Sequence, residues 1–185
     1  MRTSAMLRNT TTAWGTPAKV FHWVAAVLII FLLAYGWWMT HMTPRSGRLD
    51  AYQLHSVVGY YAFLIIAVRL LWRGLNPTPA LPRATLRWER LAAYASHALL
   101  YLLALALTFS GWIMAGVGRR PIEATVLGLP VPLFTRTPDH GLHDILEDTH
   151  RVLAYVLLGV IVIHVLAALR HHYFKRNDVM RRMWF

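Results

Sequence analysis

Hydrophobic residues come in four long runs, and the segments between them are polar, charged or punctuated by proline. The first run, Val20 to Met39, has Trp23 near one end and Trp37 and Trp38 at the other, the aromatic placement of a helix anchored at two membrane interfaces. Twenty helical residues rise about 30 Å, the thickness of a bilayer's hydrocarbon core. The second run, Tyr52 to Trp72, stops at GLNPTPALPRATLRWER, whose prolines cannot continue a helix. A third extends from Leu91 to Val117 and a fourth from Arg151 to Tyr173. With their flanking turns the predicted helices cover about 18–40, 52–73, 89–117 and 146–173. The connection 118–145 is the longest, with VLGLPVPLF as an interfacial piece, and the polar lead before Lys19 is expected to be poorly ordered at its start. The expected fold is an all-α integral membrane four-helix bundle forming a single transmembrane domain, 1–185.

Composition agrees with this layout. A chain of 185 residues that is 57% hydrophobic, with a mean hydropathy of +0.42, is too apolar for a soluble fold of that size. The formal charge of +11 would suggest a nucleic-acid partner were it not confined to short segments beside the apolar runs. Four spans place both termini and the second connection on one side. That side carries thirteen Lys or Arg against Glu89 and Asp178, while the other has six of each sign. The positive-inside rule then predicts cytoplasmic termini, with no cleaved leader.

The absence of cysteine removes disulfides, iron–sulfur ligation and thiolate zinc sites, and leaves ten histidines as candidate ligands. His150 and His164 lie fourteen residues apart on the fourth helix, a step that returns to within about 40° of its starting direction and climbs about 21 Å. His22 starts the first helix and His55 the second, so depth pairs His22 with His164 and His55 with His150. Two imidazoles per centre on facing helices suit a six-coordinate haem and would leave zinc or a di-iron site short of ligands. Without cysteine for attachment, the haem would be of b type. Gly36, fourteen residues after His22, and Gly59, one turn after His55, are placed to give a macrocycle room, although a membrane-helix glycine serves helix packing equally well. Arg69, fourteen residues after His55, is placed to meet a propionate at the His22 level. His97 has no partner left at its depth and could bond a quinone, a propionate or a neighbouring helix. His41, His140 and His143 are expected in solvated loops, and His171 and His172 at the end of the fourth helix could take up protons beside a quinone or act as interfacial anchors.

These residues carry a resemblance. AKVFHW in the first helix, HSVVGYYAFLIIAVRLLWR followed by NPTP in the second, HALLYLLALALTFSGWIM in the third, and HRVLAYVLLGVIVIHVLAALRHHYF with MRRM in the fourth together resemble the bacterial four-helix cytochrome b561 family over nearly the whole chain. The resemblance implies a di-haem b cytochrome of the inner membrane that exchanges electrons with the quinone pool, with axial ligands at His22, His55, His150 and His164. It implies either a superoxide oxidase, passing electrons from periplasmic superoxide through both haems to ubiquinone, or a cytochrome subunit relaying electrons for a periplasmic redox partner. For superoxide, Arg45, Arg48, Arg119, Arg120, Arg136 and Arg151 are the loop cations that could steer an anion. The chain departs from the family in having Thr108 and Phe109 where many members carry proline, and in Arg151, which is expected to alter the potential at the adjacent haem. A haem-free small transporter is a third class, disfavoured by the scarcity of polar residues lining a central path.

Overall fold

The computed structural model describes residues 6–42, 44, 47–82, 85–118, 125–126 and 129–185. Four helices form the chain's architecture: α1 Thr16–His41, α2 Arg48–Leu75, α3 Arg87–Val117 and α4 His140–Tyr173. All four are long and apolar enough to cross a membrane. Two-residue strands β1 Thr125–Val126 and β2 Leu129–Pro130 pair antiparallel between α3 and α4, overlapping the stretch expected to lie at the interface. The fold is an all-α helical bundle.

Local chemistry sets the helix ends. Pro17 stands in the first turn of α1, where its missing N–H costs nothing. Asn76 ends α2 in an extended conformation, as the residue before Pro77 must. Asp139 caps α4 by accepting from the Leu142 N–H at 3.0 Å. That cap corrects the expected start of the fourth helix: α4 begins at His140, not near 146, because hydropathy marks only the membrane-embedded part. At 34 residues, α4 is about 51 Å long and must project beyond the hydrocarbon core. His140 and His143 are thus on its first two turns, and His41 closes α1, its Nδ1 2.8 Å from the Trp37 carbonyl; none of the three is in a loop. α3 runs unbroken through Thr108, whose hydroxyl donates to the Ala104 carbonyl at 2.8 Å.

Each helix packs mainly on its neighbour in sequence, α1 on α2, α2 on α3 and α3 on α4, and among the described residues α4 has no comparable packing on α1. All four contribute to one core of Ala25, Ile29, Leu32, Ala62, Ile66, Leu103, Ala104, Leu107 and Leu157. One end gathers both termini and the α2–α3 connection. Asn9 donates to the Pro77 carbonyl at 3.0 Å, Trp23 Nε1 to the Met183 carbonyl at 2.9 Å, and Lys19 Nζ to the Trp184 carbonyl at 2.8 Å. Glu89, buried at the start of α3, accepts from Arg170 at 2.8 Å and from Lys175 at 2.6 Å, which fastens α4 and the tail to α3. The tail pair is less buried: Arg182 donates to Asp178 at 2.8 Å and holds that carboxyl below the usual carboxylate range. At the opposite end Trp112 Nε1 donates to the Pro132 carbonyl, and Phe134 packs edge-on against Phe109 and Trp112.

Replacing Glu89 removes the single anion between two cations. Glu89→Gln is expected to lower the melting temperature in detergent clearly more than Asp178→Asn; equal shifts would show that the buried cluster does not hold this end together.

Candidate functional site

A seven-residue step along a helix falls about 20° short of two full turns and rises about 10.5 Å, so residues seven and fourteen apart share one face. Every helix of this bundle repeats that step: His22, Ile29 and Gly36 on α1; His55, Ala62 and Arg69 on α2; His97, Ala104 and Gly111 on α3; His150, Leu157 and His164 on α4. The four middle residues all belong to the core, and Ala62 and Leu157 are 0% and 1% exposed. They form a dry waist. On either side of it lies a layer of chemically active groups.

The layer farther from the termini contains Gly36, His55, Gly111 and His150. The rings of His55 and His150 are 6.2 Å apart between centroids at 72°. Each lies over a glycine of another helix: a Cβ on Gly36 would stand 3.2 Å from His55 Cε1, and one on Gly111 would stand 2.9 Å from His150 Cε1. Tyr35 stacks parallel to His55 at 6.4 Å. Ser110 Oγ donates to the Leu107 carbonyl at 2.8 Å and lies 3.0 Å from His150 Nδ1. A serine hydroxyl has one proton, so with that proton on Leu107 it meets the imidazole as an acceptor; His150 then carries its hydrogen on Nδ1 and leaves Nε2 free. His55 Nδ1 is buried with no hydrogen-bond partner.

The layer nearer the termini contains His22, Arg69, His97 and His164. Arg69 Nη2 donates to His22 Nδ1 at 2.9 Å, and its guanidinium lies 5.1 Å from the centre of the Tyr101 ring. His164 makes its ring contact with His97, at 5.3 Å and 69°, and His22 is near enough to feel both. His97 therefore has a partner at its depth after all. The fourteen-residue step that links His150 with His164 also links His97 with Gly111, and it could have exposed both of those α3 positions.

The remaining candidates divide. A Cβ on Gly59 would meet nothing within 4 Å, so this glycine is not a helix contact but borders open space. His171 is engaged by the tail, with Asn177 Nδ2 2.7 Å from its Nδ1. Arg151 pairs with Glu147 at 3.0 Å and Asp148 at 3.5 Å on the exposed side of α4, which neutralises the charge expected to act on the neighbouring centre. Arg45, Arg119 and Arg120 lie outside the described residues. Ser110, Gly111, Tyr35 and Tyr101 are site neighbours that spacing from the histidines alone did not single out.

Similarity to known proteins shows the family of the chain. A model of the prokaryotic cytochrome b561 family matches residues 13–185. This chain belongs to that family. It is 32% identical to cytochrome b561 homolog 2 of Escherichia coli (strain K12) over 178 residues, 95% of this chain and 93% of that protein. It is 29% identical to the probable superoxide oxidase CybB of Yersinia pestis over 166 residues, 88% of this chain and 90% of that one. A probable Ni/Fe-hydrogenase B-type cytochrome subunit of Cupriavidus necator is 22% identical over 212 residues, 94% of this chain and 84% of that one.

As a cytochrome b561 family protein, the chain is a bacterial membrane electron carrier of the b-haem type. The residues present fit such a group. In the farther layer two imidazoles from different helices face one another with 6.2 Å between ring centroids, as a pair of histidine ligands to one haem would need to. Gly36 and Gly111 leave room for the two rings, and the His150 Nε2 is free. In the nearer layer a cation stands ready for a carboxylate.

The glycines make a graded test. Gly111→Ala, whose Cβ would be closer to His150 than real contacts allow, is expected to cost about 1–3 kcal/mol of unfolding free energy through overpacking. Gly36→Ala should cost less, and Gly59→Ala should gain about 0.5–1 kcal/mol from helix propensity. Denaturation in detergent reads all three, and the same loss at each would contradict the packing described.

Proposed function

We propose that this cytochrome b561 family protein is a di-haem b electron carrier of the bacterial inner membrane, moving electrons from a donor on the periplasmic side to ubiquinone near the cytoplasmic side. One haem is held by His55 and His150 and the other by His22 and His164. The observation that carries this reading is the pair of imidazole-bearing layers separated by a dry waist. Isolated polar side chains at membrane depth are expensive, and two such layers at opposite depths are what an electron crossing a bilayer requires. Haem would supply reversible one-electron chemistry; the chain would supply ligating histidine nitrogens, exclusion of water from the waist, and Arg69 as the partner of a propionate. When His22 ligates through Nε2, its Nδ1 carries the proton, and a guanidinium, which has only donors, then turns to a carboxylate instead. The excess of cations at the end that gathers both termini supports a cytoplasmic location for that end. His97, beside His164, and His171, at the tail, are the candidates for proton delivery to quinone.

Superoxide is the proposed donor, by likeness to the probable superoxide oxidase. A relay for a periplasmic redox subunit is the second reading. It is favoured by the likeness to a hydrogenase cytochrome subunit, and by Glu147 and Asp148 cancelling Arg151 where an anion would be steered.

The purified protein is expected to show two b haems per chain by pyridine haemochrome and to be reduced rapidly by superoxide, passing electrons on to ubiquinone. His150→Ala and His164→Ala should each lose one haem, while His97→Ala keeps both. Two haems without the superoxide reaction would favour the relay, and absence of haem would end this reading.

A further inference from the structure

The two layers share their spacing but differ in the polarity of what touches the histidines. At His150 the neighbour is an acceptor, because Ser110 has spent its proton on the Leu107 carbonyl. Ser110 is itself buried, so water does not compete for its oxygen. An acceptor on the far nitrogen of a ligating imidazole increases the electron density that the ring gives its metal, which favours the oxidised state. At the other layer the neighbour is a cation. Arg69 is hydrogen-bonded to His22 and lies over Tyr101, Arg73 stands 5.7 Å from the same ring, and among the described residues no carboxylate pairs with Arg69. A positive charge in a layer of low dielectric favours the state with the extra electron. It does so whether the guanidinium faces His22 or a propionate, since the charge stays in the layer.

Resting on the two-haem reading above, we propose that Ser110 and Arg69 are positioning residues of opposite sign that set the order of the two haem potentials, and so which centre a single electron occupies. Ser110 makes the His55–His150 centre the lower-potential one, and Arg69 makes the His22–His164 centre the higher. A single electron leaves the first and arrives at the second, with no bond made or broken and no proton moved at either ligand pair. The waist of Ile29, Ala62, Ala104 and Leu157 keeps water from levelling the difference. Which centre a single electron occupies is therefore a property of the bundle, while the donor and the acceptor fix the net direction of flow.

The test is a spectroelectrochemical titration of the full-length holoprotein, with the ferric signals of the two haems followed by paramagnetic resonance and haem counted in every variant. Ser110→Ala is expected to raise the lower midpoint and leave the upper one in place, and Ser110→Thr, which keeps a hydroxyl, should restore it. Arg69→Gln is expected to lower the upper midpoint by at least a tenfold change in reduction equilibrium, or 59 mV for one electron, while Arg69→Lys keeps most of it. If Ser110→Ala loses its haem, Ser110→Cys, a weaker acceptor, should move the lower midpoint in the same direction. Fewer than two haems in the parent would overturn the two-haem reading itself. Two haems with the lower midpoint unmoved on loss of the Ser110 hydroxyl, or with Arg69→Gln shifting the lower midpoint and not the upper, would overturn this inference alone.

Discussion

Polar side chains inside a bilayer have to find partners within the protein, since hydrocarbon offers none. That constraint organises this bundle. Four helices each repeat a seven-residue step, so the groups that cannot face lipid fall into two layers and the groups between them are apolar. Rings are set against rings in both layers, Ser110 meets His150 and Arg69 meets His22, while His55 Nδ1 is left without a hydrogen-bond partner. The waist is satisfied by being closed: small side chains at Ala62 and Ala104 let the helices approach, and Leu157 fills the space they leave.

The two ends of the bundle are finished by different physics. At the end with both termini, charge does the work. Glu89 gathers Arg170 and Lys175, and the tail returns to cover Trp23, the neighbour of His22, with backbone carbonyls. At the other end the contacts are aromatic and small, with Trp112 and Phe134 holding the connection after α3 and Gly116 letting the Thr135 carbonyl lie against the helix. α4 links the two, long enough to span the membrane and still present an acidic, ion-paired first stretch outside it.

The chemistry follows from the same spacing. Electron carriers of the b-haem type need little from the protein beyond ligands, access for a flat group and control of local charge. Glycines opposite His55 and His150 leave room for the two rings, because a Cβ at either position would crowd the imidazole. Control of charge differs between layers, with an acceptor at one and a cation at the other, and no acidic group stands between them among the described core residues.

Much of this was legible in the residues alone. Four apolar runs, Trp23, Trp37 and Trp38 at the interfaces, and His150 and His164 fourteen apart set the class of fold, the number of spans and the two depths, because helix rise and bilayer thickness are properties of any chain. The spacing of His55 and Arg69 likewise placed a cation at the level of His22. What a one-dimensional pattern could not hold was which neighbour each ring meets. His97 against His164, Ser110 against His150 and Gly111 beneath that ring depend on how α3 is rotated against α4, which packing between helices decides. The early start of α4 was hidden too, since hydropathy reports the membrane and not the helix, and a capping bond from Asp139 extends the helix into water. Sequence determined the depth of each group along the membrane normal through the fixed rise of a helix; the tertiary structure decided the pairing within each layer, because rotation about the helix axes is set only by the side chains that touch.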